Sequence, residues 1–268
     1  MAYSQLRIER DGGVLVCAFH NPPHGYMDRV TVEELDRFTA EAEQDGALRV
    51  IVFCGGLPGV FIRHYSVEEL QALAERLRAR GTAVDPETPI PERQIDRVFN
   101  RLGAMPQVTI AAMNGTAMGG GFELALACDL RVGEDGEYRY GLPEVNLGIL
   151  PGAGGTQRLT RLVGPGRAME LILQGRTLSP AEAHRLGIVQ ELAPFGGAVE
   201  LARRIARRIA AQPARAVAVC KGLIHLATRT PLETGLAQER TRFLELLLSD
   251  TALERMQEMN RGARDITA

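Results

Sequence analysis
Three consecutive glycines, Gly119-Gly120-Gly121, stand between an apolar strand-like run at residues 108–113 and an apolar helix-like run at residues 122–127. A buried strand that passes through glycine into a helix is a building unit of an α/β layered core. The same strand and helix rhythm runs from about residue 5 to about residue 192. Gln5-Leu6-Arg7-Ile8-Glu9 alternates, Asp11-Gly12-Gly13 turns, and residues 14–19 form a buried run, predicting an opening β-hairpin. Val32, Leu35, Phe38 and Ala42 recur at helical spacing and predict a helix over about 31–44. Residues 49–54 predict a strand closed by Gly55-Gly56, and Ser66 with Glu69 three residues on predicts a capping box. Residues 81–91, rich in Pro, Thr and charge, read as a surface loop. A helix is expected over 95–102, with short strands at 130–132 and 137–140.

Beyond residue 192 the pattern turns helical. Ser179-Pro180-Ala181-Glu182 and Thr230-Pro231-Leu232-Glu233 read as capped helix starts with proline at the first helical position. The expected division is residues 1–195 as the α/β core with the site and residues 196–268 as a helical region. Leu201, Ile205 and Ile209 share one helix face, and Arg203, Arg204, Arg207 and Arg208 lie around the other, which reads as a solvated face.

Composition removes several function classes. A formal net charge of -2 gives no basic field for nucleic acid. No apolar run reaches the roughly 18 residues of a membrane span, and the N-terminus shows no apolar signal region. Cys17, Cys54, Cys128 and Cys220 are widely spaced in apolar runs, and read as reduced core residues of a cytoplasmic protein. His20, His24, His64, His184 and His225 show no metal-ligand spacing, so no metal site is expected. The dinucleotide, phosphate-loop and serine-elbow patterns are all absent.

What remains is a pair of glutamates in glycine-rich settings. Glu123 follows the glycine triplet. Glu144 lies in Gly141-Leu142-Pro143-Glu144, shortly before Pro151-Gly152-Ala153-Gly154-Gly155. A helix N-terminus presents unpaired N–H groups, so the Gly120 amide is placed to meet a ligand carbonyl, with Glu123 one turn on. Two carboxylates beside one substrate divide acid and base work.

At these residues the chain resembles the crotonase (enoyl-CoA hydratase/isomerase) superfamily. The run from Ala112-Met113-Asn114-Gly115 through Phe122-Glu123-Leu124-Ala125 to Cys128-Asp129 carries the resemblance, as do the run from Gly141 to Arg158-Leu159, Asn21-Pro22-Pro23, and Gln174-Gly175. It covers nearly the whole chain. The resemblance implies an α/β crotonase-like spiral of ββα repeats with a C-terminal α-helical trimerisation region, forming homotrimers or homohexamers. It implies an acyl-CoA substrate and no separate cofactor, coenzyme A being part of the substrate. It maps an oxyanion hole onto the amides of Tyr65 and Gly120, water activation onto Glu123, proton exchange at Cα onto Glu144, and a substrate-proximal amide onto Gly152. Retention of both glutamates points to a hydratase acting on a 2-enoyl-CoA. Other crotonase-type reactions (isomerase, hydrolase or decarboxylase) and a non-catalytic binding role stand as alternatives. His24 and Arg29 are the positional candidates for coenzyme A contacts, with Arg261 and Arg264 as contributors from a neighbouring subunit. Phe61-Ile62-Arg63-His64-Tyr65-Ser66 departs from the family's small residues at the second donor, and Tyr26-Met27-Asp28-Arg29 from its usual segment beside the adenine.

Overall fold
A computed structural model describes residues 3–263, 265 and 266. The chain opens with β1 (Leu6–Asp11) and β2 (Val14–Phe19), an antiparallel hairpin as expected. Helix α1 (Arg29–Gln44) follows, capped by the Asp28 side chain, which accepts from Thr31 N–H. Next come β3 (Val50–Gly55), β4 (Gly59–Ile62) and α2 (Val67–Ala79). Then α3 (Gln94–Ala104), β5 (Val108–Met113), β6 (Gly115–Met118), α4 (Gly120–Ala127) and β7 (Leu130–Glu134). The last part of the core holds β8 (Tyr140–Gly141), a 3-10 turn (Glu144–Leu147), α5 (Gly155–Leu173), β9 (Thr177–Leu178), α6 (Pro180–Arg185) and β10 (Glu191–Ala193). Helices α7 (Ala198–Ala210), α8 (Ala214–Ala227), α9 (Leu232–Leu247) and α10 (Asp250–Asn260) end the chain.

The strands form two sheets. One has the order β1-β2-β3-β5-β7-β10, parallel from β2 onward; the other has the order β4-β6-β8-β9. Successive turns of the chain therefore place one strand in the large sheet, the next in the small sheet, and then a helix. That is a spiral of ββα units. Phe53, Phe61, Phe99, Phe122 and Leu35 are fully buried between the layers, each contributing about 1.5–3 kcal/mol relative to exposure.

Three sequence expectations change in detail. The expected strand at 137–140 reduces to Tyr140–Gly141, because the Tyr138 hydroxyl folds back onto Glu134 Oε1 at 3.3 Å. The capping box at Ser66 is half formed. Ser66 Oγ accepts from Glu69 N–H at 3.3 Å, but the Glu69 carboxylate is taken up by Tyr65 OH and Arg29 N–H. At Thr230-Pro231 the proline itself stands at the cap position of α9, without a side-chain cap. The Ser179 capping box with Pro180 at the helix start is present in full. Helix α7, on the C-terminal side of residue 195, packs on β2, β3, β5 and β7, with Ala198, Ala202 and Ala206 fully buried. The helical region 196–268 therefore does not stand apart at its first helix. Arg203 and Arg207 pair with Glu9 and Asp11 of β1. Three cysteines are buried as expected, but Cys220 is exposed on α8.

Candidate active site
The hydrogen-bond register around Tyr65 decides which way its amide points. Met27 bridges Tyr65 in parallel: Met27 N–H donates to His64 O at 2.9 Å, and Ser66 N–H donates to Met27 O at 2.7 Å. Extended backbone alternates its edges, so the Tyr65 amide faces away from Met27. It faces the start of α4. A Cβ placed on Gly120 would lie 3.3 Å from Tyr65 Cβ and 3.7 Å from Tyr65 N. Neither the Tyr65 nor the Gly120 amide has a partner among the described residues. Gly119 makes the turn with φ 50°, a left-handed conformation that favours glycine, and its N–H is fixed by Gly141 O at 2.9 Å. At Gly121 a Cβ would come within 2.3 Å of the Ile62 carbonyl oxygen, so α4 sits directly on the end of β4.

The Tyr65 ring steadies this segment. Its hydroxyl donates to Glu69 Oε2 at 2.9 Å, and Glu69 Oε2 also accepts from Arg29 N–H at 3.0 Å. Burial, then the Glu69 carboxylate, push the Tyr65 phenol well above its ordinary value.

The two glutamates meet the same turn from different elements. Glu123, in the first turn of α4, is buried at 3 % exposure. Its Oε1 accepts from Ala153 N–H at 2.7 Å and Gly155 N–H at 2.8 Å. Burial raises its pKa, against those two amides and the positive charges of Arg158 and Arg93. Glu144 opens the 3-10 turn and is half-buried. Its carboxylate lies over the Gly119 turn: a Cβ on Gly119 would be 3.1 Å from Glu144 Oε1. Its Oε2 is buried with no partner among the described residues. Burial raises its pKa to about 7, and the charge of Glu123 adds to the rise. Two carboxyls raised by burial, one held by two main-chain N–H groups and the other with an oxygen unpartnered, sit in different environments, as a division of acid and base work needs.

The structure thus brings Tyr65, Gly120, Glu123 and Glu144 together. Gly152 lies beside them, next to Ala153, with its carbonyl taken by Arg93. His24 stacks on Tyr26 at 5.1 Å between ring centroids, and Tyr26 stacks on His64 at 4.5 Å. His64 Nδ1 lies 2.7 Å from Tyr65 O, so that nitrogen carries the proton and donates to the carbonyl. Arg29 pairs with Glu33 on the surface of α1. Arg261 caps the end of α10, and Arg264 lies outside the described residues. Sequence reading missed Arg93 and Arg158. Arg158 Nη1 donates to Ala153 O at 2.7 Å and Nη2 to Asn100 Oδ1 at 2.8 Å. Arg158 belongs to the glycine-rich run quoted for the resemblance, whereas nothing in the pattern around Arg93 marks it.

A second buried charged cluster sits just past the C-terminal end of α4. Asp129 Oδ2 pairs with Lys221 Nζ at 2.8 Å and accepts from Thr109 N–H at 2.8 Å, and Asp129 Oδ1 meets His225 Nε2 at 2.8 Å. Lys221 also donates to the carbonyls of Leu102 and Gln107. Both His225 and His184, the latter on Val189 O, hold structural positions on their helices.

Comparison with known proteins follows the same outline. The profile of the enoyl-CoA hydratase/isomerase family matches residues 9–261. The chain is 30% identical to the short-chain-enoyl-CoA hydratase of Clostridium acetobutylicum over 257 residues, covering 96% of this chain and 94% of that one. It is 36% identical over 251 residues to the human mitochondrial enoyl-CoA hydratase domain-containing protein 2, covering 92% and 82%. The crystal structure of enoyl-CoA hydratase from Bacillus anthracis superposes with a TM-score of 0.86 at 30% identity, covering 97% of each chain.

Proposed function
The chain belongs to the enoyl-CoA hydratase/isomerase family, within the crotonase superfamily, and on that premise we propose that it hydrates a 2-enoyl-CoA. The observation that carries this reading is a pair of partnerless amides, Tyr65 and Gly120, beside two carboxyls in different settings, Glu123 held by two main-chain N–H groups and Glu144 with one oxygen unpartnered among the described residues. The thioester oxygen accepts from both amides. Charge builds on that oxygen as the enolate forms, and one such donor is worth about 3–4 kcal/mol. Glu123, oriented by the Ala153 and Gly155 amides, positions a water and, as the carboxylate, takes one of its protons as the oxygen bonds to C3. Glu144, protonated below about pH 7, gives its proton to C2. The electron pair of the former double bond thus ends in the new C2–H bond. Gly152 lies close to the reacting groups. Coenzyme A arrives as part of the substrate and no further cofactor is needed.

His24, which lines a surface groove with Asn21, Tyr26 and Asp28, and Arg29, the next residue after Asp28, are assigned to the coenzyme A moiety. Exposed Leu236, Phe243 and Leu244 on α9, Leu248 just past its end and Leu253 on α10 support assembly into a trimer or hexamer of identical chains. Free, widely spaced thiols fit a cytoplasmic setting. Among the described residues no helix is long and apolar enough to cross a membrane.

The test is loss of the conjugated-thioester absorbance when crotonyl-CoA is mixed with the purified protein. Glu144→Gln should retain crotonyl-CoA binding and lose roughly a thousandfold in kcat. A wild-type protein that binds crotonyl-CoA but leaves it unhydrated sinks the hydratase reading. The second reading, a different crotonase-type reaction, would then take over, favoured by the His24–Tyr26–His64 ring stack beside the site.

A further inference from the structure
Arg93 stands at the cap position of α3, across the glycine-rich turn from Glu123. Its Nε and Nη2 donate to Asp96 Oδ2 and Oδ1, each at 2.8 Å. This two-pronged contact fixes the guanidinium plane. Nη2 also donates to the Gly152 carbonyl. That carbonyl and the Ala153 N–H are opposite ends of one peptide bond, and the Ala153 N–H donates to Glu123 Oε1 at 2.7 Å. A cation at the oxygen end and an anion at the nitrogen end polarise the amide in the same sense, so each hydrogen bond strengthens the other.

We propose that Arg93 is a positioning residue for Glu123, orienting and polarising, through the Gly152–Ala153 peptide, the N–H that holds the Glu123 carboxylate. Arg158 acts differently. It grips the next carbonyl, that of Ala153, whose peptide carries the Gly154 N–H, and Glu123 takes its bonds from Ala153 and Gly155 instead. The charged groups facing Glu123 are Arg158 from α5, Arg93 from the start of α3 and the like charge of Glu144 from the 3-10 turn. Asp96 offsets part of the Arg93 charge. The effect on catalysis rests on the hydratase reading; the effect on Glu123 itself does not.

The experiment labels the full-length protein with carboxyl-¹³C glutamate and identifies the Glu123 signal by its loss in Glu123→Gln. In Arg93→Gln, Glu123 should titrate higher by about half a pH unit or more. With crotonyl-CoA, kcat should fall roughly threefold to tenfold at steady KM, and the acid limb of its pH profile should move up. Arg93→Lys keeps the charge but loses the fork, and should lie between. A folded Arg93→Gln protein whose Glu123 titrates as in wild type overturns the proposal, whatever its activity. Arg93→Lys indistinguishable from wild type in both readouts also overturns it, because a distant charge would then suffice. Should Arg93→Gln fail to fold, Arg93→Lys carries the test alone, and a Glu123 that titrates there as in wild type refutes the role. A moved titration in a protein that leaves crotonyl-CoA untouched supports the positioning role and removes the hydratase reading.

Discussion

The two ends of α4 carry buried charges arranged on opposite plans. Past its C-terminal end, Asp129 is met by Lys221, His225 and the Thr109 amide, and Lys221 spends its remaining protons on two carbonyls. Burial would raise the Asp129 pKa, but the His225 hydrogen bond and the Lys221 charge lower it. At the N-terminal end two carboxyls feel one another's charge, no cation touches either within hydrogen-bond distance among the described residues, and Glu144 Oε2 has no partner there. Opposite charges that satisfy one another fix a structure. Like charges left unsatisfied store a demand that a substrate can meet. One short helix therefore separates a cluster built for order from one built for chemistry.

The sharpest way to break this contrast is to strip each cluster of one charge. Asp129→Ala leaves the buried Lys221 ammonium with two carbonyls but no counter-charge, and should cost about 3 kcal/mol in urea unfolding. A loss near zero would mean that water reaches Lys221 and that the cluster is not structural. The pH dependence of stability comes next, and its sign differs between the two ends. Asp129 is lowered, so its contribution is complete above the ordinary carboxylate range and lost as pH falls through its lowered value. Glu144 is raised, so the fold is favoured while Glu144 is protonated. That advantage is whole below its unfolded value and gone once pH passes about 7. Glu144→Gln should therefore melt close to wild type at pH 4 and above it at pH 8; equal melting curves at pH 8 would deny that the carboxyl is strained. The smallest effect expected is that of Tyr65→Phe. It removes the hydrogen bond to Glu69 and should lower stability by about 1 kcal/mol, while leaving the amide in place and kcat within a few-fold. A large fall in kcat would assign the phenol a part in the reaction.

Much of this was legible in the residues. The hairpin, α1, β3, β5 and α4 follow from runs long enough to show a period. The small sheet did not show itself, because β8 and β9 have two residues each and β4 and β6 four, too few for alternation to register. The strand expected at 137–140 was misread because Glu137-Tyr138-Arg139 has strand composition, whereas the Tyr138 hydroxyl is engaged with Glu134. At the site, glycines and glutamates were conspicuous by type. The pairing of Tyr65 with Gly120 came through the family resemblance, since no local pattern links residues so far apart. Arg93 was invisible for a third reason: it follows a polar loop, and its importance lies in one carbonyl supplied by a turn far along the chain.

Between Gly121 and the Ile62 carbonyl there is no room for a carbon atom. The segment bearing one donor and the helix bearing the other thus meet main chain on main chain. Side chains hop among several rotamer wells, whereas a peptide group is a rigid plate. The gap between the donors is consequently a dimension inherited from bond lengths, like that of a machined gauge, and the residues around it decorate the gauge without resetting it. Exchanging the side chains of Arg63, His64 or Tyr65 should leave that spacing in place for the same reason. Anyone wishing to widen the opening would have to add or remove a residue at the seam; exchanging one side chain for another leaves the calibration where it was.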